Sequence, residues 1–195
     1  MTSLASVEMV VVGASLGGLD AVRALLWRLP AEFSPPIVLV QHRMSESDGL
    51  LVRLLAEHSP LPVSEPEDKD PIEGGHFYVA PSDYHLYVEQ GFFALSMDEP
   101  VCYARPSIDV LFESAADSYG AAAIAVMLTS SNRDGADGAR AVKRAGGRVL
   151  VQDPRTALSP VAPTAVIEST AVDGVLSVEH IARRLTELCG GVRAG

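Results

Sequence analysis

The chain has 195 residues, 48% of them hydrophobic, with a formal charge of -10 at pH 7. That length suits one domain with its core from about residue 8 to 189, and the acidity disfavours nonspecific binding to nucleic acid or to anionic membranes. No apolar run approaches a membrane span, Met1 to Glu8 lack the pattern of a secretory signal, and Cys102 and Cys189 form no CxxC pair or metal-ligand spacing, so the expectation is a soluble cytoplasmic protein with free thiols, no metal and no inserted segment.

In chain order, the patterns alternate between short apolar runs and stretches of helical period. A strand is expected near Val7 to Val12, then a helix from Gly18 to Leu29, a strand from Pro36 to Gln41 and a helix from Ser47 to Glu57. The acidic run Glu65-Pro66-Glu67-Asp68-Lys69-Asp70 and the pair Asp98-Glu99 are bordered by proline and read as solvated loops without chemistry. A strand follows from His76 to Val79, and Tyr84 to Met97 reads as a hairpin turning at Gln90-Gly91. The remainder gives a helix from Ser107 to Tyr119, a strand from Ala121 to Leu128, a helix from Asp134 to Ala145, a strand from Arg148 to Gln152, and helices from Val161 to Ser169 and Val178 to Leu188. Such alternation predicts an α/β fold: a doubly wound, mostly parallel sheet with helices on both faces and an appended β-hairpin.

In a sheet of this kind chemistry gathers at the carboxyl ends of the strands. The first strand runs into Gly13-Ala14-Ser15-Leu16-Gly17-Gly18, a Gly-x-Ser-x-Gly turn whose glycines permit backbone angles that expose a serine hydroxyl, followed by helix amides without intrahelical partners. The second strand ends at Gln41-His42, and the strand at Ala121 to Leu128 leads to Asp134. A serine hydroxyl needs a neutral imidazole to take its proton, and the imidazole needs a carboxylate to fix its tautomer, so Ser15, His42 and Asp134 are the candidate catalytic residues. Each also has a plainer reading: Ser15 and Asp134 as helix N-caps, His42 as a loop histidine. Among the other histidines, His85 stands second, while His58, His76 and His180 fit solvated or packing roles. Gly13-x-Ser15-x-x-Gly18 also approximates a dinucleotide fingerprint, but serine replaces the middle glycine and Gln41-His42 stands where an acid should bind ribose. No Gly-Lys-Ser/Thr follows, which excludes a Walker loop, and no cofactor is expected.

These motifs together resemble the catalytic domain of the chemotaxis protein-glutamate methylesterases, the CheB family. The resemblance runs from about Val10 to Leu188 and rests on the Ser15 turn, Val40-Gln41-His42, Ala80-Pro81-Ser82-Asp83-Tyr84-His85, Arg105-Pro106-Ser107-Ile108-Asp109-Val110-Leu111-Phe112 and Asp134-Gly135-Ala136. It implies a Ser15, His42, Asp134 triad that hydrolyses glutamyl methyl esters on the cytoplasmic helices of methyl-accepting chemotaxis receptors and, in some members, deamidates receptor glutamines. It says nothing of oligomeric state. Three departures stand out: Leu16 replaces the usual threonine, Arg43 follows His42 where the family favours methionine, and Thr129-Ser130-Ser131-Asn132 replaces Thr-Gly-Met-Gly. If those lost glycines adopt positive φ, Ser130 and Asn132 carry a cost. The first strand begins within ten residues of Met1, whereas members commonly carry an N-terminal receiver domain; the expectation is a standalone or excised domain without a receiver. The alternatives are a catalytically impaired receptor-binding module of the same fold and a small-molecule-binding α/β domain.

Overall fold

The computed structural model describes residues 6–43 and 49–190. Its elements in chain order are β1 (Met9–Ala14), α1 (Gly18–Leu26), β2 (Ile37–Gln41), α2 (Leu50–Ala56), β3 (Val63–Ser64), β4 (Phe77–Val79), β5 (His85–Val88), β6 (Phe93–Ser96), α3 (Ile108–Tyr119), β7 (Ala123–Met127), α4 (Ala136–Arg144), β8 (Arg148–Gln152), α5 (Val161–Ser169), β9 (Gly174–Leu176) and α6 (Val178–Cys189). The strand β1 shows why the chain folds this way. Every residue of it is buried, which requires cover on both faces and suits a parallel sheet flanked by helices. Met9 and Val11 join a core with α3, α4, α5 and the β5–β6 hairpin, while Val10 and Val12 join a core with α1, α2 and α6.

Seven strands form the main sheet in the order β3-β4-β2-β1-β7-β8-β9, with every pairing parallel. The winding departs from β1 toward β2 and later returns to its other side at β7, so the switch point lies at the carboxyl end of β1. Register places Ala14 beside Gln41 and Gly13 beside Met127, which aligns the three loops that follow. The β5–β6 hairpin pairs His85 with Ser96 and Val88 with Phe93. It forms its own small sheet, joined to α3 by the Val88 amide donating to Ser114 Oγ at 3.0 Å.

Several boundaries differ from the sequence expectation. Gly120 to Ala122 make a turn of 3₁₀-helix, which delays β7 to Ala123, and α1 stops at Leu26 rather than Leu29. The helix expected from Ser47 begins, among the described residues, at Leu50; Ser47 and Asp48 lie outside them. The helix expected from Asp134 begins at Ala136, which leaves Asp134 in the preceding loop. The edge strands β3 and β9 were not anticipated. No helix among the described residues is long and apolar enough to cross a membrane.

Candidate active site

The site is built from the ends of β1, β2 and β7. Ser15 follows β1 directly; its amide donates to Thr129 O at 3.0 Å and its carbonyl accepts the Gly18 amide at 2.8 Å, closing the turn into α1. Gly17 makes that turn with φ of 76°, a conformation that costs a side-chain residue energy, and a Cβ there would stand 2.8 Å from Leu158 Cβ. The Leu16 and Gly17 amides donate to no backbone acceptor among the described residues, so they remain available to a developing oxyanion near Ser15.

Gln41 and Thr129 brace the turn from either side. Gln41 Nε2 donates to Ser15 O at 2.8 Å and to His42 O at 3.1 Å, tying two of the candidate residues through one amide. Thr129 Oγ1 donates to Leu16 O at 2.8 Å and accepts the Ser159 amide at 2.9 Å. Both interactions bind backbone, so their role is to hold the turn's shape.

His42 begins the loop after β2, with its amide donating to Ala14 O at 3.0 Å. Its ring reaches across the end of β1, and Nε2 lies 2.8 Å from Asp134 Oδ2. An ionised carboxylate accepts only, so Nε2 carries the proton and Nδ1 is left as the basic nitrogen. No hydrogen bond joins the His42 ring to Ser15 Oγ in this structure; the two residues are neighbours through the alignment of β1 and β2. Such contacts commonly close only around a bound substrate.

Asp134 is wholly buried and surrounded by donors. Oδ1 accepts Ser107 Oγ at 2.8 Å and the Asp109 amide at 2.9 Å, and Oδ2 accepts the Ile108 amide at 2.7 Å besides His42. The sequence suggests a cap for the helix that follows it. The carboxylate instead caps the first turn of α3, 25 residues earlier, and α4 has Gly135 at its own start with no side-chain cap. Burial pushes the Asp134 carboxyl up, but the hydrogen bonds from His42, the Asp109 and Ile108 amides and Ser107 together outweigh it and hold it below the usual carboxylate range. It is therefore the charged partner of the imidazole.

The neighbourhood contains residues that sequence reasoning left without a role. His85 is buried, accepts the Ser107 amide on Nδ1 at 3.2 Å and donates Nε2–H to Glu99 O at 3.1 Å, so it supports the serine that in turn holds Asp134. Arg43 pairs with Glu65, so that acidic segment is not wholly solvated. Neither Ser130 nor Asn132 adopts positive φ, and the expected backbone cost does not arise. Asn132 instead donates Nδ2–H to Cys102 O at 2.6 Å and accepts the Asp134 amide on Oδ1 at 3.3 Å, contacts that glycine could not make.

Cys102, Asp109 and Asp134 bring potential ligand atoms within 4.8 Å of one another. A cation there would have to displace N–H and O–H donors from both oxygens of Asp134 and from Asp109 Oδ1, so the donor set does not fit a metal. Burial, then the neighbouring Asp134 charge, push the Asp109 carboxyl from 3.8 up to about 6. A raised folded-state pKa contributes stability that is complete below the unfolded value and lost as pH rises through the folded one, here between about 4 and about 6. The loss is roughly 3 kcal/mol at most. The Tm difference between Asp109→Asn and wild type should therefore grow in favour of the variant from pH 4 to pH 7, measured by calorimetry; a constant difference would contradict this.

Serine, histidine and a buried carboxylate at the carboxyl edge of a parallel α/β sheet leave the class of protein open. Comparison with known proteins narrows it: the model of the CheB methylesterase family matches residues 10–185, and the chain belongs to that family. It is 44% identical over 182 residues to a Leptospira interrogans protein that carries the provisional name protein-glutamate methylesterase/protein-glutamine glutaminase, covering 93% of this chain and 94% of that one. It is 45% identical over 184 residues to protein-glutamate methylesterase/protein-glutamine glutaminase 2 of Anaeromyxobacter dehalogenans, covering 94% of this chain but 54% of that protein. The crystal structure of the Thermotoga maritima CheB methylesterase catalytic domain is similar, with a TM-score of 0.90 at 36% identity, covering 94% of this chain and all of that one.

Proposed function

We propose that this chain is a cytoplasmic serine hydrolase that removes methyl esters from glutamate side chains of methyl-accepting chemotaxis receptors, with Ser15 as nucleophile, His42 as general base and Asp134 as its orienting carboxylate. The observation that carries this reading is the 2.8 Å contact from His42 Nε2 to the buried Asp134, made where Ser15 and His42 each follow the paired ends of β1 and β2. Family membership and the names of the relatives supply the substrate class.

The chemistry follows from the proton positions. His42 Nδ1 takes the proton of Ser15 Oγ as the oxygen attacks the ester carbonyl, and Asp134 stabilises the imidazolium. The Leu16 and Gly17 amides receive the negative oxygen of the tetrahedral intermediate. Collapse expels methanol, which leaves with the proton from Nδ1, and water then cleaves the acyl-serine by the same steps to release glutamate. A glutamine side chain would give the same acyl-serine with ammonia leaving. Leu16 in the turn and Leu158, close to Gly17, are 54% and 72% exposed, which suits an apolar helix surface as substrate. The altered Ser130 to Asn132 loop does not favour an impaired module, since it takes no positive φ and Asn132 holds it by hydrogen bonds to Cys102 and Asp134.

The direct test is methanol release from methylated receptor fragments, with ammonia release from their glutamine forms measured alongside. No methanol above the uncatalysed rate would refute the proposal. The histidine assignment has its own check: His42→Ala should lose activity by orders of magnitude, while exposed His58→Ala stays at the wild-type rate. Equal losses in the two variants would leave His42 only a structural place.

A further inference from the structure

We propose that Asp109 is a positioning residue for the reaction: α3 and α4 exchange carboxylate caps, and Asp109's half of that exchange fixes where Asp134 stands against His42. The inference rests on the proposed role of the His42 and Asp134 pair.

The exchange is reciprocal. Asp134, just before α4, receives the Ile108 and Asp109 amides that open α3. Asp109, in the first turn of α3, receives on Oδ1 the Gly135 amide at 2.9 Å and the Gly138 amide at 2.7 Å that open α4. Asp109 thus donates from its backbone to the Asp134 carboxylate and accepts with its side chain from the residue next to Asp134. This closes a small ring of hydrogen bonds around the peptide that carries the orienting carboxylate.

So short a side chain can span two helices only because their backbones nearly touch. A Cβ on Gly138 would stand 2.5 Å from Phe112 Cβ and 2.9 Å from Asp109 O, so only glycine admits this approach. Gly135, at φ of 105°, provides no side chain to cap its own helix, so the amides at this start depend on Asp109. Buried amides deprived of a partner seek another, and the loop from Thr129 to Gly135 would move with them. Asp109 also stands beside a second buried carboxylate, an arrangement that carries an electrostatic penalty. Stability alone does not account for an acid at this place.

The test compares the intact chain with Asp109→Asn, which keeps an oxygen for both glycine amides, and Asp109→Ala, which keeps none. Two readouts are needed: kcat and KM for methanol release, and the low-field proton resonance of the His42 imidazole N–H, assigned by its loss in His42→Ala. Asp109→Ala should lower kcat by about 10²-fold, the scale of a displacement near 1 Å, with KM unchanged and the His42 resonance shifted or lost. Asp109→Asn should restore both. If the alanine variant does not fold, Asp109→Ser, with a single short acceptor, takes its place and must show the same drop. Wild-type kcat and an unmoved resonance in a folded Ala or Ser variant overturn the proposal, as does an Asn variant that behaves like Ala. Should wild type itself release no methanol, the esterase reading fails, and the His42 resonance still decides the role of Asp109.

Discussion

Ser15→Ala is expected to abolish methanol release while the protein remains folded. The hydrogen bonds that Ser15 itself contributes to the turn use its backbone: its amide to Thr129, and its carbonyl from Gly18 and Gln41. Alanine keeps all three. The hydroxyl, half-buried at the edge of the sheet, is left for chemistry. Stability should change by no more than about 1 kcal/mol, the scale of a lost cap. Turnover should fall by roughly 10⁶-fold, the magnitude seen when a triad loses its nucleophile. The decisive comparison is the rate on a methylated receptor fragment beside the thermal transition of each protein. A folded alanine variant with substantial methanol release would place the nucleophile elsewhere.

The positions of Ser15 and His42 were legible because each follows a buried strand, and an apolar run that stops at a polar residue marks a carboxyl edge in any parallel sheet. The hairpin was legible from Gln90-Gly91 between two apolar runs. The strands β3 and β9 were not. With two and three residues at the sheet's edges, they are held by backbone pairing on one side and leave no periodicity to read. Other residues were hidden for a different reason. Asp109, Thr129 and His85 act through partners 14 to 113 positions away, and no local pattern encodes such contacts. Ser130 and Asn132 were read as glycine replacements with a backbone cost, yet the loop accommodates them without positive φ. Asp134 was legible as a residue but not in its surroundings, because sequence assigns a cap to the helix that follows, and here the recipient is the helix before.

That difference alters what replacing Asp134 must do. A cap of its own helix would tolerate asparagine, since either residue accepts from the first-turn amides. The observed carboxylate meets donors on both oxygens, Ser107 Oγ and the Asp109 amide on one, His42 Nε2 and the Ile108 amide on the other. Asparagine has one oxygen, so its NH₂ must face either the α3 amide with the serine or the imidazole with the other amide. In the first orientation buried donors confront each other, at a cost of about 1–3 kcal/mol. In the second the amide opposes the Nε2 proton and favours the tautomer that protonates Nδ1, which leaves no base for Ser15. Neither supplies negative charge to the imidazolium. Asp134→Asn should therefore lower turnover by about 10⁴-fold, as expected when a triad loses its ionised carboxylate, and also lower Tm measurably. Asp137→Asn is the control: Asp137 is exposed and paired at the surface with Arg140, a contact worth at most about 1 kcal/mol, and its loss should leave turnover unchanged. If Asp134→Asn turned over substrate as fast as Asp137→Asn, the carboxylate would be a cap for α3 and nothing more, and His42 would have to work without it.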